Sequence, residues 1–393
     1  MLLNAMMSFQ ERPALLGAAD YRWLLSDVGE RTAFVNSLCE RVLASDAEVI
    51  VSATTRSMIF ATLACDRLRM PMAYLRPKPK EHGKQRQFEG RLPAKGARVA
   101  ILFDDPPTSA ELDRAATTVA QNHGVVSDVV VLVERPQERE RSPGQPTLKQ
   151  VQRLGAASLR FGGGTWDSNV RATQVADALL DVGAVTIAPA GRPYEFVSKL
   201  LSPIYTDNRL LISNPQEWAV IVDALVGTIQ HTLGGDIDVV AGVVTSGLPH
   251  AAEVAERLRL PIVYTNADEP DAEHLPTMEG SLDSGQKVLL IEDHVTTGKS
   301  VLAAAANIRA CGGALDSCLA IFTYDSAEVE AKFRKDGIGL LALCDLPVLL
   351  EVGRARGLFG VDERDAVLEW VADPQGWTSR HESERPQKSA ASK

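Results

Sequence analysis

Short apolar runs alternate along this chain with longer stretches in which apolar residues recur every three or four positions. The runs at 48–53, 71–74, 98–103, 128–133, 238–243, 261–264 and 288–291 have the length and branched side chains of buried strands. The stretches at 20–42, 58–69, 110–121, 175–183, 216–231, 250–258 and 301–309 read as helices, with residues 55–57 as a turn before the second of them. Strands alternating with helices predict parallel sheets flanked by helices, an α/β fold. Residues 134–165 break the pattern: they are charged and rich in proline and glycine, and read as a linker with one short helix at 148–154. From residue 378 onward the chain is polar and reads as a disordered tail.

The pattern occurs twice. Residues 20–27 match 207–214 at an offset of 187, and residues 65–74 match 255–264 at 190. Asp104 and Asp105 match Glu292 and Asp293 at 188. Two copies of one α/β domain account for this better than coincidence. The expected division is a first domain at 1–135, a linker at 136–170, a second domain at 171–377 and a tail at 378–393.

The strand at 288–291 ends in Glu292 and Asp293, then turns into Thr296, Thr297, Gly298, Lys299 and Ser300 before a helix begins. Backbone N–H groups at a helix N-terminus face an anion, and the Thr and Ser hydroxyls add donors. Carboxylates beside such a cradle suit a ligand that also carries vicinal hydroxyls. A P-loop is excluded, because its first glycine would have to stand at Asp293. In the first half the matching loop starts with Pro106 and Pro107, has no glycine and carries Glu111. Two prolines remove donors and the carboxylate opposes an anion, so that copy should bind a phosphate poorly. The reverse holds for the segment after the second strand. It is basic in the first half (Arg76, Lys78, Lys80, His82) and acidic in the second, where Asn266, Asp268, Pro270 and Ala272 stand instead.

The acidic pair and its loop resemble the phosphoribosyl-pyrophosphate (PRPP) motif of type I phosphoribosyltransferases, with Lys299 where that family usually has a second glycine. The basic segment resembles the mobile catalytic loop of orotate phosphoribosyltransferases, in whose homodimers one subunit's loop closes over its partner's PRPP. Residues 202–209 resemble the hood that holds the base, and 321–324 and 373–377 recur in one bacterial branch of that family. The resemblance implies transfer of phosphoribose from PRPP to orotate with Mg2+ carried by PRPP and no metal ligated by the protein alone. It assigns the ribose to Glu292 and Asp293, and the 5'-phosphate to Thr296, Thr297, Gly298, Lys299 and Ser300. Thr245, Ser246 and Gly247 would take the pyrophosphate side. Arg76 and Lys80 would neutralise the leaving pyrophosphate and His82 would donate to it. Tyr205, Arg209 and Lys199 are the candidates for the base, with a structural ion pair as the competing role of Arg209. Lys78 stands where the family residue is often not basic. The expected assembly is a decayed fused dimer with one composite site, working as a monomeric pseudo-dimer or a higher homo-oligomer. A transferase for another base, or a PRPP-binding regulator without turnover, are the alternatives. Retention of Lys80 with Glu292 and Asp293 argues for catalysis.

Bulk properties narrow this further. The 393 residues leave room for two or three domains, and 45% hydrophobic with 23% charged residues is a globular balance. A net charge of −10 argues against non-specific nucleic-acid binding. No run is apolar enough for a membrane span, and the N-terminus lacks a basic leader, so membrane partners are not expected and a cytoplasmic setting is. The five cysteines (39, 65, 311, 318 and 344) read as small core residues in a reducing compartment.

Overall fold

A computed structural model describes residues 23–76, 87–133, 167–189, 191–196, 199–234, 236–265 and 278–385. Most of the basic segment, Lys78, Lys80 and His82 included, lies outside the described residues, as do its acidic counterpart and the helix expected at 148–154. The first half contains α1 (Trp23–Ser26), α2 (Val28–Leu43), β1 (Val49–Ser52), α3 (Thr55–Leu68), β2 (Met72–Leu75), β3 (Phe88–Gly90), β4 (Arg98–Phe103), α4 (Ser109–Gln121) and β5 (Val125–Val131). After α5 (Ser168–Asp181), a small irregular unit is formed by β6 (Val185–Ile187), β7 (Tyr194–Glu195), β8 (Leu201–Ser202), β9 (Ile204–Thr206) and a 3-10 turn at Asn208–Ser213. The second half continues with α6 (Pro215–Thr232), β10 (Val239–Val243), α7 (Leu248–Leu258), β11 (Ile262–Thr265), β12 (Met278–Glu279), β13 (Lys287–Val295), α8 (Lys299–Ala310), β14 (Ala314–Thr323), α9 (Ala327–Lys335) and β15 (Gly339–Asp345). It closes with α10 (Leu346–Ala355), α11 (Val361–Ala372) and α12 (Pro374–Arg380).

Two large sheets result, in the orders β3-β2-β1-β4-β5 and β12-β11-β10-β13-β14-β15. Both are parallel except at one edge, where β3 and β12 pair antiparallel to β2 and β11. The registers repeat as well. Ile50 pairs with Met72, and 190 positions later Val240 pairs with Ile262. Both sheets shift register at the same place, after Val99 in β4 and after Lys287 in β13. Helices α3 and α7 both end on a left-handed arginine, Arg69 and Arg259.

This register corrects one alignment made from the sequence. Ser52 pairs with Leu102 and Gly242 with Ile291, so Phe103 stands at the place of Glu292 and Asp104 at the place of Asp293. The first half therefore keeps one carboxylate of the pair, and Asp105 corresponds to His294. Sequence comparison missed this because the loops that follow differ by one residue, and hydrogen-bonded strand pairing, not the loop, sets the register. Residues 55–57 are also not a turn: Thr54 caps α3 with a capping box to Ser57, so the helix starts there. The tail expected from residue 378 is ordered to Arg385. Trp377 is buried and stacks on His381 at 3.8 Å, and the Thr378 hydroxyl accepts the Leu201 N–H at 3.0 Å. The polar composition hid these two anchors.

One apolar core runs through both halves. Ile50 of β1 and Leu289 of β13 face it, while Val49 and Val51 face α4 and Leu290 faces α8. Helices α3 and α7 pack against each other in this shared layer. Across their contact the ion pairs are reciprocal: Arg67 bonds Glu256 at 2.6 Å, and Arg257, its counterpart, bonds Asp66 at 3.3 Å. Arg31 has no solvent exposure. It donates to Glu256 at 3.0 Å, to the Leu25 carbonyl at 2.9 Å and to the Leu260 carbonyl at 3.0 Å. Removing the carboxylate would leave a buried guanidinium without its counter-charge, which costs about 3–5 kcal/mol. Glu256→Ala is thus expected to lower the free energy of unfolding measured by denaturant titration by that amount, with a lower midpoint; an unchanged midpoint would show that the halves do not depend on this contact.

Candidate functional site

The ends of β10 and β13 lie side by side in the second sheet, and each feeds a helix with an open N-terminus. Alpha helix α7 begins after Gly247 and α8 after Gly298, and neither has a side-chain cap. Both glycines are required by geometry. A Cβ on Gly247 would stand 2.6 Å from the Ile291 carbonyl oxygen and 3.1 Å from the Glu292 Cα, so the turn at 244–247 rests directly on the acidic strand end. Gly298 has φ +74°, and a Cβ there would stand 2.3 Å from the Phe333 ring. Thr296, Thr297, Lys299 and Ser300 are exposed around it, and Thr245 and Ser246 are half-buried. Two uncapped helix ends thus flank Glu292 and Asp293. Each favours an anion, and the carboxylates between them favour hydroxyl donors.

Glu292 and Asp293 are 4% and 9% exposed. The Glu292 carboxylate accepts the Asp293 N–H at 2.9 Å. Burial, then the neighbouring Asp293 charge and a hydrogen bond with it, push the Glu292 carboxyl well above the usual range. The Asp293 carbonyl accepts from the Asn208 amide at 2.7 Å, which ties the 3-10 turn to the strand end. Nearby, burial lowers His250 to about 4, so its neutral ring accepts the Trp218 indole N–H at 3.0 Å.

The first half's corresponding strand ends border a cavity of about 330 Å³ with a different chemistry. Thr108 and Glu111 cap α4 reciprocally. The Thr108 N–H donates to the Glu111 carboxylate at 2.8 Å, and the Glu111 N–H to the Thr108 hydroxyl at 3.3 Å. The helix end that is open in α8 is filled here by the chain's own anion.

The base-side candidates separate. Arg209 donates to Asp207 and to Glu89, both at 2.5 Å. Burial opposes its charge, but the Asp207 hydrogen bond and the charges of Asp207 and Glu89 outweigh this and raise its pKa. Tyr205 packs on Tyr194 with ring centroids 5.4 Å apart, and burial, then Asp207, raises its phenol pKa. The hydroxyls of Thr206 and Tyr324 lie 3.1 Å apart and join the 202–209 segment to the end of β14. Lys199 does not join this group: it is 69% exposed and pairs with Glu195 at 3.0 Å. Arg76 belongs to the first half yet reaches the same cluster, donating to the Glu89 oxygen that Arg209 also uses, at 2.6 Å. Beside it, the Tyr74 hydroxyl lies 3.4 Å from that of Thr245. The root of the basic segment therefore adjoins the second half's strand ends.

Sequence reading singled out neither Glu89, Asp207 nor Asn208. A signal for Glu89 existed: Glu89-Gly90 recurs as Glu279-Gly280 at the 190-residue spacing, and both glycines have positive φ.

The Glu292 shift has a consequence for stability. An unfolded glutamate titrates near 4.3. Above that pH the unfolded chain loses the proton and the folded one keeps it, so stability falls as pH rises toward the raised folded value. Glu292→Gln removes this penalty. Its melting temperature is expected to exceed wild type at neutral pH, with the gain vanishing toward pH 4. A gain independent of pH would contradict the shift.

The phosphoribosyl transferase domain family matches residues 211–334. The orotate phosphoribosyltransferase of Coxiella burnetii is 37% identical over 207 residues, 53% of this chain and 98% of that protein. That of Levilactobacillus brevis is 37% identical over 210 residues, 53% of this chain and 99% of its own length. Among solved structures, the orotate phosphoribosyltransferase from Aeropyrum pernix aligns with 47% of this chain and 99% of its own at 27% identity and a TM-score of 0.42. With near-complete relatives matched at this identity, and with the acidic strand end and open helix termini described above, this chain belongs to the orotate phosphoribosyltransferase family.

Proposed function

We propose that this protein transfers the phosphoribosyl group of PRPP to orotate, giving orotidine 5'-phosphate and pyrophosphate, a step of pyrimidine nucleotide synthesis. The observation that carries this reading is the pair of uncapped helix ends on either side of Glu292 and Asp293. PRPP has anions at both ends and a diol between them, the complement of that arrangement. In this reading the 5'-phosphate lies at Thr296, Thr297, Gly298, Lys299 and Ser300, the pyrophosphate at Thr245, Ser246 and Gly247, and the ribose at the carboxylates. Tyr205 and Arg209 face the base.

Catalysis here is charge management. The C1–O bond breaks toward an oxocarbenium-like centre while negative charge grows on the pyrophosphate. Arg76 and Lys80 would meet that charge, and His82 would donate a hydrogen bond to it. Closure of the basic segment would exclude water from the ribosyl centre. Mg2+ takes oxygen ligands, usually one or two carboxylates plus substrate phosphates, which fits the donors here. In this reading PRPP brings the ion to the site together with most of its oxygen ligands. Bound there, it would offset pyrophosphate charge.

We further propose that residues 1–135 and 171–377 are two copies of one domain joined by a linker at 136–170, and that the chain works in the cytoplasm as a monomeric pseudo-dimer. The repeated registers and the reciprocal Arg67–Glu256 and Arg257–Asp66 pairs support this, since a twofold interface makes each contact twice. The self-capped end of α4 and Phe103 in place of Glu292 support a single working site.

The test is PRPP-dependent consumption of orotate with Mg2+. Asp293→Ala and Lys80→Ala are each expected to lower kcat/KM by ~10²–10³-fold, whereas a monomer is expected in sedimentation. No turnover of orotate would overturn the substrate. Turnover indifferent to Lys80→Ala would overturn the contribution of the first half.

A further inference from the structure

We infer that Glu89 is a positioning residue that joins Arg76, at the root of the basic segment, to Arg209, in the base-side segment. It would thereby make the two halves present one preassembled cation pair to both substrates. The inference rests on the reading above and adds a residue and a coupling to it.

One carboxylate oxygen, Glu89 Oε1, accepts from Arg76 Nε at 2.6 Å and from Arg209 Nη1 at 2.5 Å. The two arginines come from different halves of the chain. Strand pairing sets the carboxylate's place: Glu89 stands opposite Tyr74, on the face of the sheet turned toward the second half, and is 4% exposed. Two guanidinium groups this close would repel without the shared anion. With Asp207 also on Arg209, two cations and two carboxylates balance. Arg76 spends Nε on this network, whereas Arg209 spends Nε on Asp207 and Nη1 on Glu89; a guanidinium has five N–H donors, so each can still offer one to a ligand. An anion that draws on Arg76 changes the field at Arg209 through the shared oxygen, and the converse follows. PRPP and orotate are both anions, so their binding should be linked through Glu89.

The duplicate position supplies a control. Glu279 stands opposite Tyr264 in the same register, but its partner is Arg56, at 2.8 Å. The sequence has Asn266 where the first half has Arg76, so the arginine that Glu89 holds at the root of the basic segment has no counterpart beside Glu279.

The experiment measures steady-state kinetics of Glu89→Gln, Glu89→Asp and Glu279→Gln with both substrates varied, alongside melting curves. Glu89→Gln keeps the size of the side chain and removes its charge. It is expected to lower kcat/KM by ~10–100-fold, the scale of a misplaced binding group. The KM values for PRPP and orotate should rise together, and melting should stay cooperative above the assay temperature. Glu89→Asp should recover part of the loss, and Glu279→Gln should match wild type. Wild-type kinetics in Glu89→Gln, a rise in only one KM, or an equal loss in Glu279→Gln would overturn the coupling while orotate turnover by the wild type still stands. Absence of wild-type turnover would overturn the functional reading and this inference with it.

Discussion

Everything at the site depends on the burial of α3 against α7. Their contact closes one apolar core over both halves, and it draws Arg31, a cation with no access to solvent, onto Glu256 of the other half. Such a charge is tolerable only while its carboxylate and carbonyl partners stay in place. The consequence is geometric. With α3 and α7 fixed, β2 ends beside the turn at 244–247, Tyr74 reaches Thr245, and the basic segment leaves the sheet next to the strand ends of the other half.

Two sheets of similar strand order differ in what their strand ends offer. In the second, glycine at the start of α8 leaves N–H groups uncovered and a carboxylate pair stands beside them. In the first, Thr108 and Glu111 satisfy the start of α4 internally, and Phe103 replaces one carboxylate. The first arrangement stabilises its own helix with a side-chain cap; the second has no side-chain cap. Glu292 is a cost of the same kind. A carboxyl buried beside another carboxylate is poorly placed for folding and well placed to meet hydroxyl groups.

Arginine distribution follows the same division. Around Glu256 and Asp66 the guanidinium groups bond across the halves and serve packing. Around Glu89 they meet across the halves on one carboxylate oxygen. Arg209 is held by the carboxylates of Asp207 and Glu89, the structural role that competed with binding of the base.

Much of the fold was legible in the chain itself. Apolar runs such as 288–291 announce buried strands because both faces of a parallel sheet must be covered, and the repeat at 190 residues announces two similar units because their turn and cap residues recur. The acidic pair, the glycine at 298 and the reversal of charge after β2 were legible for the same reason: backbone geometry and net charge are local properties. Strand register was not local. Whether Asp104 or Asp105 answers Asp293 is decided by hydrogen bonds between strands, and only the folded sheet contains them. The Glu89 junction was decided in the same way. Arg76 and Arg209 lie far apart in sequence, and only the packing of one half on the other brings both to a single carboxylate oxygen.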